Sequence, residues 1–286
     1  MGLVAAPQQE DRGAPRPARL DLGPGPGTRR EWLEALWGHR AVIAVLARKD
    51  FQARYKRASL GILWVVAVPL VQAIVLTAIF SNFVRLDGGA SYPAYVLSGI
   101  LTWSYFSITL PLATSSIVEQ TALTDKLWFP RAILPLVPCL SNLVGLIISM
   151  LILVVAAPIA GAPLTINILL LIPASALLLL FTAALSMATS ALNVYFRDVR
   201  FIVTAALLVW LYATPILYPK DLVGSLGPWL DVNPMTGIVS MFHVAVLGED
   251  GDWQRSAIFS VIVTFLLLVV AMEIHRRRDR QFVDLL

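Results

Sequence analysis

Long uncharged stretches dominate the chain. No Asp, Glu, Lys or Arg falls between Arg57 and Arg85, between Asp87 and Glu119, or between Arg131 and Arg197. Runs of roughly 18 or more mostly apolar residues mark membrane-crossing helices, because about 20 helical residues are needed to cross a hydrocarbon core of about 30 Å. The pattern predicts spans at 61–84, 93–115, 137–157, 166–192, 201–218 and 256–272. Pro158, Gly161 and Pro163 interrupt the longest run and divide it into a hairpin of two helices. The uncharged piece 232–248 contains Asn233-Pro234, Gly237 and His243, and reads as re-entrant helical structure within an external segment of about 219–250. The expected fold is an all-α integral membrane protein with six transmembrane helices, an N-terminal cytoplasmic amphipathic helix, and external re-entrant helices between spans five and six.

The stretch before the first span has a different pattern. Thr28-Arg29-Arg30-Glu31 fits a capping box, with Thr28 as N-cap and Glu31 three positions on. Trp32, Leu33, Leu36, Trp37, Val42, Ile43 and Leu46 follow at helical spacing among Arg and His residues. That arrangement suits a helix lying in the membrane interface, or a short helix on a partner surface. Residues 1–27 are rich in Pro and Gly and predict a disordered tail. The domain plan is thus a tail (1–27), an interfacial helix and basic linker (28–57), a transmembrane domain (58–275) and a C-terminal tail (276–286).

Charge fixes the expected orientation, since cytoplasmic loops carry the excess of Lys and Arg. Arg40, Arg48, Lys49, Arg54, Lys56 and Arg57 precede the first span; Lys126 and Arg131, then Arg197 and Arg200, and finally Arg276, Arg277, Arg278 and Arg280 fall on the same side. Both termini are therefore expected in the cytoplasm of a chain in the inner membrane. The 286 residues are 58% hydrophobic and only 14% charged, whereas soluble domains carry about 25% charged residues. The net charge of +4 sits beside the apolar runs, as topology determinants do, and is not a nucleic-acid signal. The single cysteine, Cys139, excludes an intrachain disulfide and a multi-cysteine metal site.

These features narrow the function. No ionisable group lies at the centre of a predicted span, which disfavours a proton- or sodium-coupled pump. No G-x-x-x-x-G-K-[ST] motif occurs, so energy for uphill transport has to enter from another polypeptide. Contact would run through the pre-span helix, the loops 117–131 and 193–200, and the tail. Acidic residues are scattered: Asp125 and Asp198 sit beside basic neighbours, which reads as local pairing, and Asp250-Gly251-Asp252 reads as a turn. A metal–diphosphate enzyme needs such residues clustered. A channel would show charged rings or a filter sequence, and neither is present.

Five segments resemble the ABC type-2 permeases that export polysaccharides, including the O-antigen and teichoic-acid exporters. They are Asp50-Phe51-Gln52-Ala53-Arg54-Tyr55-Lys56 with Leu60-Gly61-Ile62-Leu63-Trp64 and Pro69-Leu70; Phe129-Pro130-Arg131 with Ile133-Leu134-Pro135; Asn193-Val194-Tyr195-Phe196-Arg197-Asp198-Val199; Thr214-Pro215-Ile216-Leu217-Tyr218; and Asn233-Pro234-Met235-Thr236. The resemblance implies a homodimeric permease with two copies of a cytoplasmic ATPase, which holds ATP and magnesium, this chain itself holding no cofactor and catalysing no reaction. It places the coupling segment at about 117–130, with Glu119, Asp125, Lys126 and Trp128, and the amphipathic helix at about 32–48. Arg54, Lys56 and Arg57, with Arg131, Arg197 and Asp198, are candidates for contact with anionic headgroups or for a cytoplasmic gate, plain topology signalling being the other reading. Trp103, Tyr105, Phe106, Trp210 and Tyr212 can line a sugar path or form interfacial belts and packing. Phe242-His243 stands where many such permeases carry an aromatic–Arg pair. The implied cargo is a lipid-linked polysaccharide or cell-wall glycan; export of a drug or simple lipid, or an enzyme acting on a polyprenyl-linked glycan, are the alternatives.

Overall fold

The computed structural model describes residues 28–56, 61–82, 91–120, 129–248 and 253–279. The tail 1–27, Arg57, Asp125, Lys126, Trp128, the acidic turn at Asp250 and Asp252, and Arg280 lie outside the described residues.

Helix α1, Arg29–Gly38, starts on the expected capping box. The Glu31 N–H donates to Thr28 Oγ1 at 3.3 Å, and the Thr28 N–H donates to Glu31 Oε2 at 3.1 Å. The predicted single pre-span helix is in fact two. His39 leaves helical geometry at φ −90°, ψ 11°, and α2 runs Arg40–Tyr55. Gly38, a poor helix former, stands immediately before the break.

Among the described residues, five helices are long and apolar enough to cross a membrane. They are α3 (Trp64–Asn82, entered through a 3-10 turn), α4 (Tyr92–Glu119), α5 (Ile133–Ile159), α6 (Leu171–Tyr195, also entered through a 3-10 turn) and, last in the chain, Gln254–Arg278. Between α6 and this last helix lie α7 (Val199–Tyr212), a 3-10 turn Lys220–Leu226, a short α8 (Gly227–Leu230) and α9 (Pro234–Leu247), which makes the last helix α10. The α5–α6 hairpin turns through Gly161 at φ +82°, as the Pro/Gly punctuation predicts.

Of the expected fifth span, 201–218, the helix α7 forms 14 residues, about 21 Å of rise against a hydrocarbon thickness of about 30 Å. The chain leaves the helix after Tyr212 because its next carbonyls are taken by side chains from other helices. The Ala213 carbonyl accepts from Asn233, and the Pro215 and Tyr218 carbonyls accept from the Tyr95 hydroxyl. Helix α9 is also 14 residues long and nearly all of it is buried, as a re-entrant piece would be. Asn233 caps it, Pro234 occupies its first turn, and Gly248 ends it in the left-handed region at φ +72°.

α4 is the hub of the bundle: 72% of its most apolar window is buried, against 17% for α3 and 22% for α10. Ile100 and Phe106 of α4, Leu146 and Leu153 of α5, Leu178 and Phe181 of α6, and Phe242 of α9 form the centre of the core. At one end, here called the basic end, Ile43 and Ala47 of α2 pack with Ile117, Phe129, Ile133 and Val194, and Ile274 of α10 packs against them. α2 therefore packs chiefly on α5, at the end where α4, α6 and α10 also meet, while Leu33 and Trp37 of α1 remain exposed.

Candidate functional site

The segment 121–128 joins α4 to α5 at the basic end, and its flanks are anchored. Upstream, Ile117 is fully buried and Glu119 is exposed at the last residue of α4. Downstream, Phe129 is buried beside Ile43 and Ile133. The Arg131 backbone N–H donates to Asp279 Oδ1 at 2.9 Å, and the Arg131 guanidinium donates to the Asp279 carbonyl at 3.1 Å. Burial raises the Asp279 carboxyl above its usual value, and the Arg131 N–H and charge pull the other way. Pro130 does not enter the first turn of α5. It stands three residues before it, and its carbonyl accepts the Ile133 N–H at 3.0 Å.

Two polar chains tie the N-terminal helices to the bundle. Arg54 pairs with Asp50 on α2 and donates to Asn142 Oδ1 at 2.9 Å, while Asn142 Nδ2 donates to Thr109 Oγ1 at 3.0 Å. Glu273 of α10 accepts from Arg29 of α1 at 3.2 Å and from Arg276 at 2.7 Å. Beside Asn142 a narrow cleft is lined by Phe51, Tyr55, Ser104, Ser141 and Ser149.

The predicted gate residues thus separate. Arg54 and Arg131 turn inward to protein partners; Lys56 is exposed at the end of α2, and Arg197 and Asp198 are exposed in the turn between α6 and α7. That turn is organised by Asn193, whose Oδ1 accepts the Arg200 N–H at 3.3 Å.

The aromatic candidates divide as well. Trp103, Phe106 and Trp210 form one cluster with Phe181; the Phe106 ring lies 5.4 Å from Trp103, 5.7 Å from Phe181 and 5.4 Å from Trp210. Tyr105 points to α5 and donates to the Cys139 carbonyl at 2.9 Å. Tyr212 is 64% exposed on α7. Trp103 is buried and Phe106 has no exposed surface. Phe181 carries no signal of its own in an apolar run. Asn233 carried one, the Asn-Pro turn, but its use as a junction needs the fold.

At the opposite end, Asn233 uses its whole hydrogen-bonding capacity. Its Nδ2 donates to the Ala213 carbonyl at 3.0 Å and Thr214 Oγ1 at 2.9 Å; its Oδ1 accepts from Trp210 Nε1 at 2.9 Å and the Met235 N–H at 3.0 Å. The Tyr92 hydroxyl donates to the Leu217 carbonyl at 2.7 Å. Lys220, Asp231 and Ser256 form a further polar contact. Burial alone would raise the Asp231 carboxyl, but hydrogen bonds from Lys220 and Ser256 and the charges of Lys220 and Arg255 outweigh it and hold it below its usual value. The buried His243 ring lies tilted against Tyr95, with the ring centroids 3.7 Å apart. Among the described residues, no group of three His, Cys, Asp or Glu side chains is placed to hold a metal ion.

Comparison with known proteins agrees with this arrangement. Over 252 residues the chain is 27% identical to the O-antigen export system permease protein RfbA of Myxococcus xanthus, an overlap that covers 87% of this chain and 96% of that one. Two proteins of the same description from Klebsiella pneumoniae are 25% and 24% identical over 247 residues, covering 86% of this chain and 95% of each relative. The family described as ABC-2 type transporter matches residues 41–247, from the start of α2 to the last residue of α9. That stretch takes in both the Asn142–Arg54 contact and the Asn233 junction, and it covers well over half of the chain, so the chain belongs to the ABC-2 type transporter family.

Proposed function

We propose that this chain is the membrane permease of an ATP-driven exporter of a lipid-linked polysaccharide. Two copies form the pathway, and two ATPase subunits, which hold the ATP and magnesium, dock at the basic end on the cytoplasmic side. Both termini then lie in the cytoplasm, and the Asn233 junction faces outward. The relatives described as O-antigen export permeases, overlapping nearly end to end, support the cargo class.

One observation supports the energy path above all: the flanks of segment 121–128 are fixed to α2 and α10 through Phe129 and through Arg131 with Asp279. A push on the segment would therefore move α4, α5, α2 and α10 together. Glu119, Asp125, Lys126 and Trp128 are the residues that would meet the ATPase.

The test is an affinity pull-down of the tagged protein in mild detergent, with ATPase activity measured on the eluate. Residues 121–128 are replaced by a neutral linker, which leaves buried Ile117 and Phe129 in place. An ATPase that elutes with the native chain and is lost from the variant supports the reading. A native chain that elutes with no ATPase overturns it, and an ATPase retained by the variant moves the docking site elsewhere.

A further inference from the structure

A groove of about 450 Å³ opens between α1 and the last turns of α10. Val269, Val270 and Ile274 form its apolar wall, and Arg29, Arg277 and Arg278 stand around it with Glu273. It continues into a smaller cleft that shares Arg29, Val269 and Glu273 and adds Leu33, Met272 and Arg276. Among the described residues that line the groove and cleft, four guanidinium groups stand with one carboxylate, Glu273, which pairs with Arg29, Arg276 and Arg277 and leaves a net positive charge. Of the acids on α1, Glu31 closes the capping box on Thr28 and Glu34 pairs with Arg30, and neither lines the groove or the cleft.

The groove also has a direction. The outer face of α10 is an apolar stripe, with Phe265 69%, Leu266 64% and Val270 46% exposed. The stripe runs directly into Arg277 and Arg278. On α1, Leu33 is 48% exposed and Trp37 72% exposed, with the Arg40 guanidinium 5.6 Å from the Trp37 ring. Apolar surface therefore points along the helix toward the bilayer interior, and positive charge collects at the level where headgroups lie.

We propose that this groove is a binding site for an anionic phospholipid. Its acyl chains lie along Val269, Val270 and the stripe of α10, and its phosphate meets Arg29, Arg277 and Arg278. A bound lipid would bridge α1 to α10 and reinforce the Arg29–Glu273 contact. Binding to the folded state alone would stabilise the protein by mass action. The inference requires only that the chain is a membrane protein, and it stands or falls apart from the cargo and the ATPase.

The experiment is native mass spectrometry of the detergent-purified protein titrated with phosphatidylglycerol or phosphatidylcholine. The native chain is expected to retain phosphatidylglycerol preferentially. Each basic residue near the surface contributes about fivefold in affinity, so R277Q/R278Q should lower that preference by about thirtyfold. R277K/R278K, which keeps the charges, should restore most of it and excludes misfolding as the cause. R200Q, a charge removed at the other side of the basic end, should leave the preference unchanged. Equal retention of both lipids by the native chain, or equal loss in R200Q, would overturn the proposal. So would stoichiometric displacement of the lipid by a short polyprenyl diphosphate, which would make the groove a substrate site.

Discussion

Gly237 of α9 lies against Ser256 of α10 so closely that a Cβ on the glycine would sit 2.1 Å from the Ser256 carbonyl oxygen and 2.3 Å from Ser260 Oγ. The contact is cemented by Ser260, whose hydroxyl donates to the Pro234 carbonyl at 2.6 Å. Small residues that let helix backbones touch are a common device in membrane proteins, where lipid offers no hydrophobic drive for helices to associate. Gly237→Ala places a methyl group against backbone, which cannot rotate away. A loss of about 3 kcal/mol is expected, the upper end of the overpacking range. Gly38→Ala is the control: nothing lies within 4 Å of its Cβ, and alanine favours a helix by about 1 kcal/mol. Thermal unfolding in detergent should show the first variant well below the native protein and the second at or above it. Equal melting of the two variants would refute the close-contact argument.

Asn233 joins three pieces of chain, the end of α7, the extended segment after it and the start of α9. Asn233→Ala removes the N-cap, worth about 1 kcal/mol, and leaves the Trp210 N–H and the Ala213 carbonyl without their partner. Each such orphan costs about 1–3 kcal/mol where buried. Asn233→Asp keeps both acceptor contacts and loses only the two donated bonds, so it should be the milder variant. Melting temperatures in the order native, Asp, Ala are expected. Cross-linking between positions on α7 and α9 should weaken in the same order, and an Asp variant as unstable as Ala would show that the donated bonds carry the junction.

Much of this fold is written in the spacing of charged residues. Uncharged runs give the five long helices, and the Thr28–Glu31 pattern gives the start of α1, because each depends on local chemistry. The ends are less legible. Where the helix of 201–218 ends depends on Tyr95 and Asn233 capturing carbonyls after Tyr212, contacts that span more than a hundred residues in the case of Tyr95. Sequence alone also gives Arg54 and Arg131 only as basic residues beside a span. Their inward contacts with Asn142 and Asp279 arise from α2 and the end of α10 docking on the bundle. Among the aromatics, packing and path-lining use the same side chains, and burial separates Phe106 from Tyr212.

The two acids held at opposite ends should respond oppositely to pH. Asp279 is raised by burial, so the folded state favours its neutral form; its contribution is complete in acid and is lost as pH rises through its folded-state value. Asp231 is held low against burial by its bonds to Lys220 and Ser256, so its contribution is present near neutrality and is lost as pH falls through its folded-state value. Relative to D279N, the native protein should therefore gain stability as pH is lowered from 7 toward the carboxylate range of about 4. Relative to D231N, it should lose stability only below about 4, as pH falls toward the lowered folded-state value of Asp231. Melting curves of the three proteins from pH 7 to below that range decide the matter. Parallel curves would mean that neither carboxyl is perturbed.

The contact between Arg54 and Asn142 makes a prediction about how α2 communicates with the membrane domain. Arg54 is about one-fifth exposed, and Asn142 is buried, with its other amide bond to Thr109. A hydrogen bond from a charged donor is worth about 1.5–3 kcal/mol when buried, and partial exposure of Arg54 places this one toward 1 kcal/mol. Arg54→Gln and Asn142→Ala should each destabilise, and because they share one bond the double variant should lose less than the sum, with a coupling of about 1 kcal/mol. A role confined to surface headgroups gives no such coupling, since Asn142 does not reach them. If the coupling is present and the double variant still binds its ATPase while export falls, then α2 transmits motion to α4 and α5 through this side chain. If the cycle is additive, Arg54 acts at the membrane surface, and Ile43 and Ala47 alone hold α2 to the bundle.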